Sequence, residues 1–396
     1  MRILVLSFYY APDLSAGSFR TTALVEALQR MLPAKASIDV ITTAPNRYRE
    51  FNQSAETMEI NGIVRITRIS LPAHSSGMLD QSRAFMVFAQ AAYQHAIKGK
   101  YDVVYATSSR LMTAVLGACV AKRLKIPLYL DVRDIFVDTM EDIFSSSLVR
   151  GIIPILSRLE RFCIRTASIV NVVSPGFLSY FQEKYPGIHL SCYTNGIDEI
   201  FIDTVPTQRQ KKTPSVYNVT YAGNIGEGQG LHLIVPALAK KLGNRIRFRI
   251  VGAGGRLEQL HQAIKHEGCS NVEIEAPVER ARLLELYQEA DVLFLHLNDY
   301  KAFEKVLPSK VFEYAATGKP VWAGVSGYAA MFIEENLENT AVFSPCDTIG
   351  ALKAFERLDF VDTSRESFVK CYKRDAIMAK LAGDLISLGH AGTQKT

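Results

Sequence analysis

Short apolar runs alternate with longer amphipathic stretches along almost the whole chain. The apolar runs have the length and β-branched content of buried strands, and amphipathic stretches such as Arg20–Met31, Arg83–Lys98 and Leu231–Leu242 lie between them. The predicted strands are Ile3–Ser7, Ile38–Thr42, Val64–Ile69, Asp102–Ala106, Leu128–Val132, Ile169–Val173, Asn218–Ala222, Ile246–Val251, Val272–Ile274, Asp291–Leu295, Pro320–Ala323 and Ala341–Ser344. Because such strands with intervening helices are typical of parallel sheets covered on both faces, the pattern predicts an α/β protein.

One polar segment interrupts this alternation. Residues 202–216 include two prolines and few large apolar side chains, which is typical of a linker. We therefore predict two doubly wound domains, residues 1–201 and residues 217–375, joined by this linker. The last helical stretch, in residues 376–396, could belong to either domain, including by packing back on the first. Open parallel sheets bind ligands at the carboxyl ends of their strands, so two facing domains predict an interdomain cleft.

Composition excludes several classes of protein. The 396 residues carry a net charge of +5, which is too small to indicate nucleic-acid binding and is compatible with a mild attraction to phosphorylated ligands or anionic lipid. Six cysteines without a Cys-x-x-Cys pair argue against a disulfide framework or a thiolate zinc site. No apolar run approaches the ~20 residues that span a bilayer. The simplest expectation is a cytoplasmic protein.

The segment Leu307–Val321 carries the most informative pattern. Ser309 is a good helix N-cap and Gly318 suits the left-handed position after a helix, so we predict a helix of about two turns that leads directly into a strand. The N-terminus of this helix would offer unpaired backbone N–H groups to a phosphate, and Lys310 adds a full charge. Glu313 is suited to accept hydrogen bonds from a ribose diol. The alternative is a surface helix whose charged side chains are merely solvated.

A glycine-rich loop, Gly223–Gly230, follows one of the predicted strands. Four glycines in eight positions let the backbone approach a ligand closely and direct N–H groups at anionic oxygens. The loop is neither a P-loop nor a Gly-x-Gly-x-x-Gly motif, and a simple tight turn remains the alternative. A second glycine cluster, Val251–Gly255, is predicted to be only a turn, because no acidic residue closes a later strand at the spacing of a dinucleotide fold.

The loop after the first strand could contribute to a phosphate site. Gly17 and Ser18 could present backbone N–H groups there, and Arg20 could assist. A plain connection between strand and helix explains the same residues equally well.

Charged residues are unusual at the end of a buried strand. The predicted strand Leu128–Val132 nevertheless has a charged residue next to its last position, and two more follow it. Asp131, Arg133 and Asp134 could serve a site, or an Asp–Arg pair could hold a loop. The sequence does not separate these interpretations.

Several motifs are absent from the sequence. There is no Asp-x-Asp, no His-Glu-x-x-His and no Gly-x-Ser-x-Gly, and the histidines show no metal-ligand spacing. His296 is interpreted as a residue of the core or of a cleft wall. We therefore expect neither a metal nor a cofactor. A bound diphosphate would have to be neutralised by backbone dipoles and basic side chains, for which Lys301, Lys305 and Lys310 cluster suitably.

Taken in this order, these segments resemble the retaining, family-four type of GT-B glycosyltransferase, and most closely its bacterial O-antigen or capsule branch. The matching segments are Pro12–Gly17, Asn195–Asp198, Ala222–Gly226, Gly252–Gly254, Ala290–Val292 and Pro308–Tyr314. The resemblance covers nearly the whole chain, and the last segment is the most specific. It implies the GT-B fold: two doubly wound, Rossmann-like domains facing an interdomain cleft.

The resemblance also implies roles for individual residues. Glu313 would be the second glutamate of the family's paired motif and would bind the donor ribose. The donor diphosphate would be contacted by Gly17 from the N-terminal side. The implied donor-binding residues of the C-terminal domain are Gly223, Asn224, Gln229, Val278 (at the nucleobase pocket), Ser309, Lys310 and Glu313.

This chain departs from the family's pattern at two places. Lys305 stands where the first glutamate of the pair is expected, and the glycine-rich loop has Glu227 and Gln229 where many members carry a basic residue. These departures leave open which cation neutralises the leaving phosphate, and Lys305 and Lys310 are the candidates. Asp134 is a candidate for positioning the acceptor.

The expected activity is metal-independent transfer of a hexosyl or N-acetylhexosaminyl group, with retention of configuration, from a nucleoside-diphosphate sugar to the hydroxyl of a sugar or lipid-linked acceptor. Bacterial surface polysaccharide assembly is the expected context. A nucleotide-sugar epimerase or phosphorylase of the same fold is an alternative, and a non-catalytic binding protein is another.

The stretch Leu148–Ile164 interleaves apolar residues with arginines. Such a helix could rest on an anionic membrane at the inner face of the plasma membrane and receive a lipid-linked acceptor. An ordinary helix that faces the core has the same pattern. Liposome binding that depends on the arginines would favour the membrane interpretation.

Overall fold

The computed structural model describes residues 1–46, 55–72, 78–108, 111–143, 147–202 and 215–393. The chain divides into two compact units: residues 1–195 with 375–396, called the first unit, and residues 196–374, called the second unit. Most of the predicted linker, residues 203–214, lies outside the described residues.

The first unit is built on a sheet of eight described strands in the order β3-β4-β2-β1-β5-β6-β7-β8, numbered along the chain. All of its strand pairs are parallel except that between the third and fourth strands. Its strands are β1 (Arg2–Leu6), β2 (Ser37–Thr43), β3 (Met58–Asn61), β4 (Val64–Ile69), β5 (Val103–Thr107), β6 (Leu128–Val132), β7 (Ile169–Val172) and β8 (Leu190–Cys192). Its helices are α1 (Ala16–Met31), α2 (Met78–Ala96), α3 (Leu111–Leu124), α4 (Phe136–Ile143), α5 (Ser147–Thr166) and α6 (Leu178–Lys184).

The second unit contains a sheet of six described strands, all parallel, in the order β11-β10-β9-β12-β13-β14. These strands are β9 (Tyr217–Ala222), β10 (Ile246–Val251), β11 (Val272–Glu275), β12 (Val292–His296), β13 (Val321–Gly324) and β14 (Thr340–Phe343). Its helices are α7 (Glu199–Ile202), α8 (Leu231–Leu242), α9 (Leu257–Glu267), α10 (Arg280–Glu289), α11 (Lys310–Thr317), α12 (Gly327–Asn336), α13 (Thr348–Phe355) and α14 (Glu366–Cys371).

The predicted fold class is confirmed, and each of the predicted strands is present with ends within one residue of the prediction. Strands β3 and β8 were missed. β3 is an exposed antiparallel edge strand, so it lacks the apolar signature of the buried parallel strands. β8 has only three residues, all partly exposed.

The division between the units falls at Asn195, earlier than the boundary predicted at residue 201. Residues 196–202, including α7, therefore lie in the second unit. The last helix, α15 (Arg374–Thr393), belongs almost entirely to the first unit. Its apolar side chains Met378, Leu381 and Leu385 are fully buried there with those of β1 and α1, so the chain returns to the first unit to complete its core.

Candidate functional site

The glycine-rich loop at the end of β9 lies against the loop at the end of β10. Gly223 adopts φ of +145°, and its N–H donates to Val251 O at 2.8 Å. The N–H of Ile225 donates to Ala253 O at 2.9 Å. A Cβ atom on Gly252 would clash with the carbonyl oxygen of Gly223. The glycines of residues 251–255 therefore permit close packing of two loops, in agreement with their interpretation as a turn.

Glu227 anchors the far end of the glycine-rich loop. Its carboxylate is hydrogen-bonded by Arg256, and by the Tyr300 hydroxyl at 2.6 Å, while the Asn298 amide donates to the Glu227 backbone carbonyl at 2.9 Å. Burial acts to raise the pKa of Glu227, but the hydrogen bonds from Tyr300 and Arg256 outweigh it and hold that pKa below its ordinary value. Glu227, which stands where many family members carry a basic residue, is thus paired with Arg256 from the neighbouring loop.

Asn224 and Gln229, both predicted to bind the donor, bind each other. Asn224 Nδ2 donates to Gln229 Oε1 at 2.8 Å, and the Gly226 N–H lies 3.3 Å from the same oxygen. These contacts close the loop upon itself. The side chains therefore shape the backbone of the loop, and their contact with a donor stays a prediction.

Lys310 extends its ammonium group onto the glycine-rich loop. A Cβ atom on Gly223 would clash with Lys310 Nζ, and this nitrogen also lies over the Tyr221 ring, 5.4 Å from the centroid. The side chain is half-buried, and within the described ranges no carboxylate forms an ion pair with it. Burial lowers the pKa of Lys310, and the negative charge of Glu313 opposes this shift.

Glu313 lies one turn further along α11 and is also half-buried. Burial raises its pKa, and the positive charges of Lys310 and Arg280 oppose the shift. The Tyr287 hydroxyl lies 3.5 Å from Glu313 Oε2. Among the described residues this carboxylate has no direct ion-pair partner either, so Lys310 and Glu313 are two partly buried opposite charges near the start of α11 that interact without direct contact. Ionisable groups with such shifted pKa values are typical of functional sites.

The start of α11 differs from its prediction. Ser309 occupies the N-cap position but has helical angles, φ −59° and ψ −28°, and its side chain makes no capping hydrogen bond. The N–H groups of Val311 and Phe312 donate to the carbonyls of Pro308 and Ser309 in a tightened first turn. Fewer backbone N–H groups are therefore available to a phosphate than predicted. The helix ends as predicted, at Gly318 in the left-handed conformation with φ of 71°.

Three further residues of the second unit were predicted to contribute to the site: Val278, Lys301 and Lys305. Val278 follows β11 and packs, partly exposed, on the core that includes Phe312. Lys305 is half-buried at the end of a single 3₁₀ turn, Lys301–Lys305, while Lys301 itself is exposed.

His296 is fully buried at the end of β12, which confirms its interpretation as a core residue. Its Nδ1 lies 2.7 Å from Gln229 O, and the Cys346 N–H donates to its Nε2 at 3.0 Å. Because a carbonyl can only accept, the ring proton is on Nδ1 and the imidazole is neutral. His296 thereby ties the glycine-rich loop to the residues after β14.

Acid should destabilise the protein through His296. Burial lowers the pKa of His296 to about 4, although the hydrogen bond to Gln229 opposes this shift. In the unfolded chain the pKa of a histidine is ~6.5. The unfolded chain therefore binds more protons as the pH falls from ~6.5 to ~4, and the free energy of unfolding should fall by about 3 kcal/mol over this range. Urea unfolding at pH 7 and at pH 4.5 measures this loss. The His296→Gln variant should lose about 2–3 kcal/mol less between the two pH values, and an unchanged difference would contradict the assignment.

In the first unit, the structure decides against phosphate contact by Arg20, one of the two interpretations that the sequence left open. Its side chain is fully buried, with Nε 2.8 Å from Asp131 Oδ2 and Nη2 3.0 Å from Asp131 Oδ1. Nη1 also donates to Thr194 O, and Nη2 donates to Tyr193 O. Burial raises the pKa of the Asp131 carboxyl, but the charge of Arg20 outweighs burial and holds that pKa below its ordinary value. Asp131 therefore has a structural role, and it forms its ion pair with Arg20 rather than with Arg133.

Gly17 is buried in the first turn of α1, where Ser15 caps the helix by accepting from the Ser18 N–H at 3.1 Å. Asp134, the predicted acceptor-positioning residue, lines a small cavity with Ser108 and Glu160 near the end of β6. The Asp134 residue itself has access to water, while the protein around it excludes enough solvent to raise its pKa to about 6. The roles predicted for Gly17 and Asp134 stay predictions.

The predicted amphipathic helix is confirmed as α5. Ile155 is 54% exposed and Ile152 is 41% exposed, and Arg158, Arg161 and Arg165 are exposed as well. Cys163 and Ile164 face the core, as the interpretation of an ordinary helix predicts, and membrane contact stays a prediction. In the part of the chain that the structure describes, no helix is both long and apolar enough to cross a bilayer.

Sequence reasoning missed the residues that hold these loops, notably Arg256, Asn298 and Tyr300. Their shared signal is position: Arg256 follows β10, and the other two follow β12, at the carboxyl ends of parallel strands. That position was available from the predicted strands.

Comparisons with known proteins agree with this architecture. The carboxyl-terminal part of the chain, residues 206–359, matches the family model "Glycosyl transferases group 1", and residues 17–188 match the "Glycosyl transferase 4-like domain". WcaI of Escherichia coli K12, a protein assigned to colanic acid biosynthesis as a glycosyl transferase, is 24% identical over 345 residues, which are 80% of this chain and 82% of WcaI.

Solved structures show the same fold. HepE of Anabaena in complex with UDP superposes with a TM-score of 0.65 at 18% identity, covering 98% of this chain and 100% of HepE. Sucrose-phosphate synthase of Thermosynechococcus elongatus superposes with a TM-score of 0.69 at 13% identity, covering 99% of this chain and 97% of the synthase.

The two α/β units and these solved structures define the GT-B fold. The two matched family models support a glycosyltransferase of this fold. Within that class, the amino-terminal match is to a glycosyl transferase 4-like domain and the carboxyl-terminal match is to the glycosyl transferases group 1 model.

Proposed function

We propose that this glycosyltransferase moves a sugar from a nucleoside-diphosphate sugar to the hydroxyl of a sugar or lipid-linked acceptor. The observation that carries the proposal is the pair of half-buried charged side chains near the start of α11, Lys310 and Glu313, of which Lys310 contacts the Gly223 loop. The complex of HepE with UDP supports the class of donor.

In this reaction the bond between the anomeric carbon and the diphosphate oxygen breaks, and a bond to the acceptor oxygen forms. The diphosphate leaves with the bonding electrons and a growing negative charge, and its oxygen accepts the proton that the acceptor hydroxyl gives up. A fixed cation stabilises this charge in the transition state without reorganisation. Lys310 supplies such a cation, because its ammonium is held on the loop by Gly223 and Tyr221 rather than by a carboxylate.

Local energetics also favour a functional role for Lys310. As the first residue of α11 it places a positive charge at the positive end of the helix dipole, where a cation is unfavourable. It is also partly removed from water. A lysine in such a place has no direct ion-pair partner among the described residues, and an anionic ligand would neutralise its charge.

Glu313 should bind the ribose diol of the nucleotide. In isothermal titration with UDP, ADP and GDP, we expect one nucleotide to bind, and Glu313→Ala should weaken its binding by about 10- to 100-fold through loss of charged hydrogen bonds. The 2′,3′-dideoxy form of that nucleotide should bind the wild type and the variant equally, because it lacks the diol.

The exposed Glu335 in α12 provides the control, and Glu335→Ala should leave nucleotide binding unchanged. If no nucleotide binds the wild type, the proposed donor class is wrong. If Glu313→Ala weakens the dideoxy nucleotide as much as the natural one, the ribose contact is wrong. Acceptor-dependent release of the nucleoside diphosphate then separates a transferase from an epimerase.

The context and stereochemistry are further parts of the proposal. Similarity to WcaI supports a role in bacterial surface polysaccharide assembly, and the family resemblance supports retention with a hexosyl or N-acetylhexosaminyl donor. The anomeric proton coupling in the product reports retention directly, and an inverted product would exclude it.

A further inference from the structure

The glycine-rich loop of the second unit contains one acidic residue, Glu227, although the proposed function brings a diphosphate to this loop. The loop starts at Gly223, against which Lys310 lies, and it closes on itself through the pair Asn224 and Gln229. A carboxylate and a diphosphate repel each other, and near a protein surface this repulsion is appreciable over several ångströms. A charged Glu227 would therefore oppose binding unless another group neutralised it.

Glu227 makes a structural contribution to the loop. Its carboxylate accepts a hydrogen bond from the Tyr300 hydroxyl at 2.6 Å, and its backbone carbonyl accepts one from the Asn298 side-chain amide at 2.9 Å. The backbone N–H of Asn298 donates to Gly228 O at 2.9 Å. These contacts fasten the loop to the segment that follows β12. Both side-chain donors are neutral groups, so they hold the carboxylate in place without cancelling its charge.

The neutralising charge comes from Arg256, which follows β10 in the neighbouring loop. Arg256 Nε donates to Glu227 Oε2 in a direct ion pair, in which the two side chains are 38% and 25% exposed. The backbone N–H of Arg256 donates to Ile225 O at 2.9 Å, so the main chain of Arg256 is bound to the same loop. Burial acts to raise the pKa of Glu227, but the hydrogen bonds from Tyr300 and Arg256 outweigh it. Glu227 is therefore ionised at neutral pH.

The other titratable groups around Glu227 do not carry a compensating charge. Burial, together with the hydrogen bond to Glu227, raises the pKa of Tyr300 to about 12, so its hydroxyl keeps the proton and stays neutral. Burial also lowers the pKa of His232, although the charge of Glu227 opposes that shift, so this imidazole is neutral at neutral pH. Among the described residues, Arg256 is thus the cation that pairs with Glu227.

We propose that Arg256 allows the glycine-rich loop to accept a diphosphate by neutralising Glu227. This inference rests on the proposed function and makes Arg256 a positioning residue, which acts through Glu227 rather than by contact with a phosphate. Without Arg256, the unpaired carboxylate would repel the diphosphate. If glutamine also replaced Glu227, the repulsion would disappear, while the amide oxygen could still accept the hydrogen bond from Tyr300.

The test is isothermal titration of UDP, ADP and GDP into the full chain. Arg256→Gln should weaken binding of the nucleotide that the wild type binds by about 10-fold, because it leaves one carboxylate unpaired. Glu227→Gln should bind at least as tightly as the wild type. The double variant should recover most of the loss, since the two residues act through one interaction.

Salt provides a readout that a purely structural role of Arg256 would not change. Raising the ionic strength from about 0.1 M to about 1 M shortens the screening length from ~10 Å to ~3 Å. The difference in affinity between Arg256→Gln and the wild type should therefore shrink at high salt. A difference that stayed the same would contradict electrostatic repulsion as its cause.

The second unit offers a matched control pair at the opposite end of β10. Arg245 directly precedes this strand and forms an ion pair with Glu356 at 2.7 Å. Arg245→Gln, alone or combined with Glu356→Gln, should leave nucleotide binding unchanged. Loss of binding in these controls as large as in Arg256→Gln would show a general effect of removing ion pairs, and would overturn the proposal.

The double variant gives the sharpest decision. If it binds as weakly as Arg256→Gln, Arg256 acts by direct phosphate contact or through the fold, and the proposal is overturned. Binding of wild-type strength in Arg256→Gln would overturn it as well. If Arg256→Gln does not fold, Glu227→Gln alone still decides, because weaker binding in that variant contradicts the proposal.

Failure of this inference can be distinguished from failure of the proposed function. If the wild type binds none of the three nucleotides, the proposed donor class is wrong and this inference is wrong with it. If the wild type binds one of them and the double variant recovers nothing, the role of Arg256 is wrong while the donor class stands.

Discussion

Replacing Lys310 by alanine should lower kcat/KM for glycosyl transfer by about 100- to 1000-fold, a loss of ~2.7–4 kcal/mol of transition-state stabilisation. The reason is that Lys310 Nζ is the cation held against Gly223, where the leaving diphosphate would gain charge. The same substitution should leave the free energy of unfolding unchanged or raise it slightly, since it removes a partly buried cation from the positive end of α11. Initial rates and urea unfolding on the same preparations measure the two effects.

Two lysines serve as comparisons. Lys241→Ala, at an exposed position of α8, should change neither activity nor stability. Lys305→Ala tests the other cation that the sequence suggested. A large loss of activity in Lys305→Ala with little loss in Lys310→Ala would reverse the assignment of the leaving-group cation.

Replacing Asp131 by asparagine should lower the free energy of unfolding by about 3–5 kcal/mol, because it leaves the buried Arg20 without a counter-charge. Both side chains of this pair are almost fully excluded from water, at 1% and 0% exposure. Asparagine keeps the size and part of the hydrogen bonding, so the loss reports mainly the missing charge. Urea unfolding followed by circular dichroism measures it.

The chain contains a matched control for this prediction. Arg30 and Asp375 form an ion pair with the same nitrogen–oxygen distance of 2.8 Å, but their side chains are 54% and 69% exposed. Exposed pairs contribute only about 0–1 kcal/mol, so Asp375→Asn should have a small effect. Equal losses in the two variants would show that burial does not determine the strength of the Arg20–Asp131 interaction. The double variant Arg20→Met with Asp131→Leu should be less destabilised than either single change, since it removes both charges together.

The elements that form the candidate site could be predicted from local sequence. The end of the short helix α11 could be predicted from Gly318, because a glycine in the left-handed conformation is a local signal of a helix terminus. The loop at Gly223 follows from its glycines and from its position after a predicted strand. Each of these signals lies within about ten residues of chain.

The contacts of the site could not be predicted in this way. Ser309 looked like a capping residue, but the chain enters α11 already in helical conformation, so its side chain does not cap. Asn224 and Gln229 looked available to a ligand, but they bind each other. Glu227 looked like a departure from the family pattern, and its partner Arg256 lies on another loop.

The sequence alone therefore determined which segments form strands and helices along the chain, because hydrophobic periodicity and helix termini depend on neighbouring residues. Which charges remain available to a ligand was decided only by the tertiary structure. Arg20 and Asp131 are separated by more than a hundred residues, yet they neutralise each other in the core, and this pairing makes Arg20 unavailable to a ligand. Desolvation and ion pairing depend on every group that packs around a charge, and most of those groups are distant along the chain.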